Sequence, residues 1–284
     1  MIEHYSYQEK KSGEWRMGKQ KILALDFDGC IVDSVMEALF VTYVSYRRYI
    51  NKETRIFDNK KPEIGKFLSL ISNYQPQVKK FREYRHHIKD ASDYAVILYI
   101  IEENLKVSSD NEFFKIKKLI LDKDIERFYQ CFYDTRAKIF KDNFDAWARL
   151  TPSFSCINEM RRLANEHKMI MATTNNKETA KSLLTEQYLN LNIKEEDIVD
   201  LHISTDKIIQ MEYIVNKYEV KFEGIHFLDD NLSQLLAVRA LGVNVYLASW
   251  GYCTEEQKNF AKKSSDINFL TEENMYSVLS EALY

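Results

Sequence analysis

Residues 21–34 read KILALDFDGCIVDS, and this stretch decides the fold that we predict for the chain. Four apolar residues, Ile22 to Leu25, end at two carboxylates, Asp26 and Asp28, and a glycine follows directly. An apolar run of this length, bounded by polar residues, is typical of a strand that is buried on both faces of a parallel sheet. Because ligands bind at the carboxyl ends of the strands in open α/β sheets, Asp26 and Asp28 are candidate site residues.

The simpler interpretation of these two carboxylates is structural. Asp-Gly is a common turn dipeptide, and Asp26 could cap the segment that follows it. We favour a functional site because an apolar strand precedes the two carboxylates and a further polar pair, Asp33-Ser34, comes shortly after them.

The composition is that of an ordinary globular protein. The 284 residues allow one large domain or two modest ones, with 45% hydrophobic and 29% charged residues. Because the net charge is only −3, we expect no nucleic-acid or membrane-surface partner. The longest apolar run, residues 95–101, is too short to cross a bilayer, and residues 1–5 lack the apolar core of a signal peptide. Four scattered cysteines without metal-type spacing add to the expectation of a reduced, cytoplasmic protein.

The region between the first strand and residue 148 is predicted to be helical. Seven glycines and three prolines are few for a chain of this length, which favours helix. Ser34 and Glu37 have the spacing of a capping box, so we predict a helix from there to about residue 50. Charged and apolar residues then alternate at helical spacing, and further helices are predicted near 62–73, 77–89, 91–105, 110–121 and 123–141.

From Thr151 onward, predicted strands and helices alternate. The predicted strands are 169–173, 198–203, 224–228 and 243–247, and the predicted helices are 155–167, 177–188, 207–218 and 233–241. The strand at 198–203 is the weakest, because Asp200 and His202 interrupt it. Alternation of this kind predicts an α/β fold with a doubly wound, Rossmann-like parallel sheet.

The first strand and the later strands are therefore expected to share one sheet. We predict a core of residues 21–34 and 149–284, and an all-helical second domain, residues 35–148, inserted after the first strand. Residues 1–20 are polar and aperiodic, and we take them as an N-terminal extension.

Polar residues stand at four strand ends or helix starts that would meet at one edge of this sheet. They are Asp26 and Asp28, Thr174, Lys207, and Asp229 with Asp230. A threonine at a strand end is commonly only a helix cap, and two aspartates before a helix are favoured by the helix dipole. Lys207 carries more weight because a cation in the first helical turn opposes that dipole, so a nearby anion is indicated.

With these residues the sequence resembles the haloacid-dehalogenase-like phosphohydrolase superfamily. The resemblance covers about 21–50 and 148–250, and residues 26–34 match the first motif of that superfamily well. Thr174 is similar to the second motif, Lys207 to the third, and Asp229-Asp230 to the acidic fourth. The helical region matches only as a cap of the kind that is inserted after the first motif.

The resemblance implies a chemistry for each matched residue. Asp26 would attack phosphorus and form an aspartyl-phosphate, and Asp28 would act as the acid and then the base. Thr174 would bind a phosphoryl oxygen, and Lys207 would neutralise charge. The resemblance implies Mg²⁺ as cofactor, held by a side-chain oxygen of Asp26, the backbone carbonyl of Asp28 and the carboxylate of Asp230, with Asp229 bound directly or through water.

Two features depart from the family pattern. A further aspartate often follows the fourth motif, but Gln234 and Leu235 stand there, and Lys207 has no proline after it. Alternative residues for the cation and the hydroxyl are therefore kept open: Lys217, Lys181 and Thr173.

A phosphatase acting on a small phosphorylated metabolite is the expectation, because dehalogenating and phosphonate-cleaving relatives lack an aspartate at the position of Asp28. A phosphosugar mutase on the same residues and a non-catalytic regulatory protein are the alternatives. The arginines considered for substrate binding are Arg47, Arg85 and Arg136. Arg85 lies in the basic run 79–87, which is typical of a solvated helix face, with an anion-attracting surface as the alternative.

Overall fold

The computed structural model describes residues 21–88, 90–120 and 122–284, so the predicted N-terminal extension lies outside the described residues. Six strands form one sheet. They are β1 (Ile22–Leu25), β2 (Met169–Ala172), β3 (Ile198–Val199), β4 (Ile225–Asp229), β5 (Asn244–Ala248) and β6 (Asn268–Leu270). Their order is β3-β2-β1-β4-β5-β6, and every neighbouring pair is parallel. The predicted α/β fold with a doubly wound parallel sheet is confirmed.

The strand order places β1 at the centre of the sheet. β1 pairs with β2 on one side and with β4 on the other, and the chain runs from β1 through β2 to β3 before it crosses back to β4, β5 and β6. A crevice forms where the strand order reverses, and ligands bind there at the carboxyl ends of the strands. Asp26 directly follows β1 and therefore lies at this point.

The central strands are apolar because both faces of the sheet are covered. Ile22 and Ala24 pack into the hydrophobic core on one face, while Leu23 and Leu25 pack into the core on the other. Successive side chains of a strand point to opposite faces, so an uninterrupted apolar run is needed to bury both.

The helical insertion, residues 35–148, contains the helices that lie between β1 and β2. They are α1 (Val35–Tyr49), α2 (Phe67–Ile71), α3 (Gln75–Glu83), α4 (Asp93–Glu102), α5 (Asp110–Lys117), α6 (Asp122–Asp142) and α7 (Phe144–Ala148). These helices bury a hydrophobic core of their own, which is separate from the two cores that cover the sheet. Within the described ranges, no helix is long and apolar enough to cross a membrane.

The helices that cover the sheet follow β2 in the chain or lead into it. They are α8 (Ile157–Glu166), α9 (Lys177–Leu183), α10 (Lys207–Tyr218), α11 (Leu232–Arg239), α12 (Glu255–Lys263) and α13 (Met275–Leu283). α10 begins as expected, because the side chain of Asp206 accepts a hydrogen bond from the backbone of Ile208 at 2.8 Å.

The capping box predicted at Ser34 and Glu37 is wrong. α1 starts after Ser34, but the Ser34 side chain makes no capping hydrogen bond. Glu37 is fully buried and instead accepts hydrogen bonds from two side chains of the insertion, Arg136 and Trp147. The spacing predicted the start of the helix correctly, but the Glu37 carboxylate binds distant side chains and not the backbone at the helix start.

The strand predicted at 198–203 is also shorter than expected. β3 ends at Val199 because the carboxylate of Asp200 accepts hydrogen bonds from the backbone of Lys177 at 2.8 Å and of His202 at 3.3 Å. These bonds turn the chain away from the sheet. β6, α7, α12 and α13 were not predicted.

Candidate active site

Lys207 and Asp26 form the centre of the candidate site. The Lys207 ammonium donates a hydrogen bond to Oδ1 of Asp26 at 2.6 Å and another to the carbonyl of Ala172, at the end of β2. Both partners stand at the carboxyl ends of strands, and Lys207 is only 2% exposed. The position of Lys207 in the first turn of a helix indicated a nearby anion. That anion is Asp26.

A tight turn after β1 fixes the carboxylates of the first motif. The backbone N–H of Asp26 donates to Leu228, at 2.9 Å, which ties the turn to β4. Within the turn, Ile31 donates to the carbonyl of Phe27 and Gly29 donates to Val32, both at 2.9 Å. Gly29 has a φ of +86°, which a residue with a Cβ adopts only at a cost.

Asp229 and Asp230 lie at the end of β4, next to this turn. Oδ1 of Asp229 accepts from the backbone of Asn231 at 2.8 Å, whereas its Oδ2 is buried and has no hydrogen-bond partner in the described part of the chain. Oδ2 of Asp230 accepts from the backbone of Tyr252 at 2.5 Å. An orphaned buried carboxylate oxygen is costly unless a ligand satisfies it.

Two glycines make room for Asp230. A Cβ at Gly29 would stand 2.5 Å from the carboxylate of Asp230, and a Cβ at Gly251 would stand 2.3 Å from its Cβ. Because real Cβ atoms do not approach this closely, both positions need a residue without a side chain.

The site is short of positive charge. Burial raises the pKa of Asp26 and, more strongly, that of Asp229. Repulsion from neighbouring carboxylates raises both pKa values further. Burial also raises the pKa of Asp230 to about 7. Lys207 opposes these shifts at Asp26 and Asp229, but one ammonium does not balance three carboxylates, of which Asp229 and Asp230 are buried and Asp26 is 13% exposed.

The donor atoms fit a divalent cation. Oxygen atoms of Asp229 and Asp230 and the sulfur of Cys30 lie within 4.8 Å of one another, and all three residues are buried. Carboxylate oxygens suit Mg²⁺, whereas a thiol does not, and burial raises the pKa of Cys30 far above its usual value. The oxygen ligands, the orphaned oxygen of Asp229 and the excess negative charge together fit a hard cation.

Asp28 is held by a chain of polar contacts that reaches into the helical insertion. The side-chain amide of Asn175 donates to Oδ2 of Asp28 at 3.0 Å. Arg136 of α6 contacts Oδ1 of Asn175 at 3.5 Å and pairs through two nitrogens with Glu37, at 2.8 and 2.7 Å. Trp147 donates to the same carboxylate at 3.2 Å.

Thr174 and Thr173 occupy different environments. Thr174 is exposed, and its side chain makes no hydrogen bond within the described residues. Thr173 is fully buried, and its hydroxyl accepts from the backbone of Asn175 at 3.0 Å. Of the two hydroxyls, the one at Thr174 is therefore available to a ligand.

The alternative cations lie away from the site. Lys217 donates to the backbone carbonyl of Glu196, and Lys181 pairs with Glu195 at the surface. Lys207 is the lysine that the structure brings to Asp26.

Sequence reasoning missed two residues of the site, Asn175 and Tyr252. Asn175 directly follows the second motif, so its position was a usable signal. Tyr252 had none, because its contact with Asp230 spans a long separation in the chain and uses the backbone N–H. The Tyr252 hydroxyl also accepts from the backbone of Ser34 at 2.9 Å, which joins the fourth motif to the start of α1.

Comparisons by sequence are negative: no family model and no curated protein matches this chain. Comparisons by structure give clear similarities. A haloacid dehalogenase-like family hydrolase from Streptococcus pneumoniae is 11% identical, with a TM-score of 0.54, over 92% of this chain and 98% of that one. A predicted phosphoglycolate phosphatase from Haemophilus somnus is 12% identical, with a TM-score of 0.57, over 92% and 98%.

A third structure, from Thermotoga maritima and provisionally named a β-phosphoglucomutase, is 14% identical with a TM-score of 0.52, over 92% of this chain and 99% of that one. A match over 92% of the chain includes helices of the insertion as well as the sheet. Identities this low show a shared architecture and carry no residue roles. The comparisons therefore show that the fold of this chain is similar to that of structures named as haloacid dehalogenase-like hydrolases and phosphatases.

Proposed function

We propose that this protein is a Mg²⁺-dependent phosphomonoester hydrolase that acts on a small phosphorylated metabolite through an aspartyl-phosphate. The observation that carries the proposal is the ion pair between Lys207 and Asp26, with Asp28 two residues further on and Asp229 and Asp230 beside it. A phosphate monoester repels an anionic nucleophile, so a site that attacks it needs cations at the nucleophile. The names of the structural neighbours agree with this class of reaction.

Asp26, the backbone carbonyl of Asp28, Asp230 and Asp229 are the residues that would hold the metal. When bound, Mg²⁺ would neutralise charge on the phosphoryl oxygens and on the crowded carboxylates. The orphaned Oδ2 of Asp229 is the atom that most needs such a partner.

In the first step, Asp26 forms a bond to phosphorus while the bond from phosphorus to the leaving oxygen breaks. Lys207 holds Oδ1 of Asp26, which leaves Oδ2 to attack. Asp28 donates its proton to the leaving oxygen, so the alcohol departs neutral. Thr174, at the rim of the site, would hydrogen-bond a phosphoryl oxygen.

In the second step, water replaces the alcohol. Asp28, now ionised, takes a proton from the water as its oxygen attacks phosphorus, and the bond between phosphorus and Asp26 breaks to release inorganic phosphate. Asn175 donates to Oδ2 of Asp28 and so keeps Oδ1 directed at the leaving group and then at the water.

The helical insertion, residues 35–148, would act as a cap over this edge of the sheet. Its contact with Asn175 through Arg136 and its separate core support a body that closes on the core and excludes bulk water. We place the reaction in the cytoplasm, in keeping with four cysteines that are all free and buried.

A phosphosugar mutase is the second candidate, and the similarity to the Thermotoga maritima structure favours it. The same residues would serve, with a second hydroxyl in place of water. Supplying a bisphosphorylated sugar separates the two, because a mutase yields isomerised sugar phosphate and a phosphatase yields free phosphate.

The direct test is hydrolysis of p-nitrophenyl phosphate and a panel of phosphometabolites by the purified protein. We expect activity that requires Mg²⁺ and is lost in Asp26→Asn. Activity that survives chelation of the metal, or that survives Asp26→Asn, would contradict the proposal.

A further inference from the structure

Three arginines of the helical insertion were candidates for substrate binding, and the structure separates them. Arg47 is turned to Asn59, whose side-chain and backbone oxygens accept from it at 2.9 and 3.1 Å. Arg136 reaches the site but is neutralised by the buried carboxylate of Glu37. Arg85 differs from both, because it forms no ion pair with any carboxylate in the described ranges of the chain.

Arg85 is held in place by aromatic rings from both parts of the molecule. Its guanidinium carbon lies 4.9 Å from the ring centre of Tyr94, in α4, and 4.9 Å from that of Tyr252, in the core. One terminal nitrogen lies 3.4 Å from the hydroxyl of Ser34, and Nε is buried without a partner in the described residues. The two flanking rings fix the plane of the guanidinium. The side chain therefore loses little conformational entropy when a ligand binds.

The charge of Arg85 acts on the candidate active site. Burial lowers its pKa, but Tyr94, Tyr252, Asp28 and Asp230 more than offset this, and the net pKa is raised. The Tyr252 ring that flanks Arg85 belongs to the residue whose backbone N–H donates to Asp230, so Arg85 is a fixed cation near the carboxylates of the site, and it forms an ion pair with none of them in the described residues.

We propose that Arg85, clamped between Tyr94 and Tyr252, binds an anionic group on the part of the substrate that leaves. The substrate would then be a small phosphomonoester whose alcohol carries a carboxylate or a second phosphate. This inference rests on the proposed hydrolase function and deepens it.

The position of Arg85 favours the leaving group over the transferred phosphoryl. The nucleophile Asp26 already has Lys207, at 2.6 Å, on the side of the sheet. Arg85 comes from the insertion, and it lies against the Tyr252 ring and the Ser34 hydroxyl, at the end of the first motif that carries Asp28. A guanidinium presents a planar fork that matches a carboxylate or phosphate through two parallel hydrogen bonds.

The test compares matched substrates that differ in one charge. The first pair is 2-phosphoglycolate against 2-hydroxyethyl phosphate, and the second is glucose 1,6-bisphosphate against glucose 1-phosphate. In the wild-type protein with Mg²⁺, we expect kcat/KM to be at least about tenfold higher for the charged member of one pair. The pair that shows the difference tells a carboxylate from a phosphate.

Variants then assign the preference to one residue. Arg85→Gln should bring the ratio of the two kcat/KM values close to one, and Arg85→Lys should keep only part of it, because an ammonium lacks the planar fork. Arg47→Gln is the matched control, and it should leave the ratio unchanged. A preference that persists in Arg85→Gln overturns the inference.

Failure of this inference can be told from failure of the proposed function. Metal-dependent hydrolysis with equal kcat/KM in both pairs overturns the role of Arg85 and leaves the hydrolase intact. Without any hydrolysis, calorimetric titration of the same compounds decides: binding that is tighter for a charged member, and that weakens in Arg85→Gln, supports the anion site. Equal binding overturns it. Should Arg85→Gln not fold, equal wild-type values still overturn the inference and a wild-type preference supports it.

Discussion

The strand ends of the core and the helical insertion contribute opposite kinds of polar group to the candidate site. The core supplies three neighbouring carboxylates and one ammonium: Asp26, the buried Asp229 and Asp230, and the buried Lys207. Among the guanidinium groups of the insertion, Arg136 is paired with a buried carboxylate, whereas Arg85 forms no ion pair in the described residues. The strand ends carry an excess of negative charge, whereas the insertion carries a guanidinium, Arg85, without an ion-pair partner in the described residues.

This difference indicates a division of labour. A crowded set of carboxylates is unstable by itself and becomes favourable when a metal ion and a phosphoryl group enter. A fixed guanidinium does no bond-breaking, but it can bind and orient an anion. We therefore assign bond-breaking to the strand ends, and recognition and closure to the insertion.

The largest effect is expected when the nucleophile is removed. Asp26→Asn keeps the shape of the side chain but cannot form the aspartyl-phosphate, so kcat should fall by about 10⁴-fold or more, which is on the order of 5 kcal/mol in activation free energy. Steady-state kinetics with p-nitrophenyl phosphate measures this. Asp266→Asn, at the surface, is the control and should keep wild-type rates. A loss below tenfold in Asp26→Asn would show that another group attacks phosphorus.

The next effect concerns the insertion. Glu37→Leu removes the fully buried partner of Arg136, whose side chain is 21% exposed, so the free energy of unfolding should fall by about 3 kcal/mol in urea titrations. The double variant Glu37→Leu with Arg136→Leu should recover much of this, because neither charge then remains. If the double variant is as unstable as the single one, Trp147 and packing, and not the ion pair, hold Glu37 in place.

A smaller effect tests the room made for Asp230. In Gly251→Ala the added Cβ lies 2.3 Å from the Cβ of Asp230, so the carboxylate must shift. We expect a loss of about 1–3 kcal/mol in stability and a smaller rise of the melting temperature on addition of Mg²⁺. Gly65→Ala is the control, since nothing lies within 4 Å of its added Cβ. An unchanged response to Mg²⁺ in Gly251→Ala would separate Asp230 from the metal.

The smallest expected effect is a change of stability with pH. It compares His226, within a strand of the sheet, with Asp230, at the end of that strand. Burial lowers the pKa of His226, in β4, to about 4, so the unfolded chain takes up a proton near pH 6.5 before the folded protein does. This group stabilises the fold fully above pH 6.5, and its contribution, on the order of 1–2 kcal/mol, is lost as the pH falls toward 4.

Asp230 has the opposite sign. Its pKa in the folded protein, about 7, lies above the ordinary value of 3.8, so its contribution to stability is present below pH 3.8 and is lost as the pH rises through 7. Because the protonation of His226 costs stability in acid, urea titrations of the metal-free protein between pH 4 and 7 should show less acid destabilisation in His226→Gln than in wild type. His202→Gln, at an exposed position, should match wild type. An unchanged profile in His226→Gln would place the acid sensitivity elsewhere.

Much of the fold was readable from the sequence. The apolar run at β1 and the alternation after residue 151 follow from periodicity, which is local. The assignment of Lys207 succeeded because a cation at a helix start conflicts with the local dipole, and the conflict indicated a distant anion. The capping box failed for the complementary reason: Ser34 and Glu37 satisfied a local rule, but the Arg136 guanidinium is a stronger partner for the buried carboxylate than a backbone N–H.

The sequence by itself determined which chemical groups stand at the ends of the strands, because strand ends are set by short-range patterns of apolar and polar residues. Only the tertiary structure decided which distant groups meet there. Asn175 on Asp28, Tyr252 on Asp230 and the stacking that fixes Arg85 depend on how the insertion and the core pack together. Nothing in local spacing encodes that packing, since it is the burial of large apolar surfaces that brings these segments into contact.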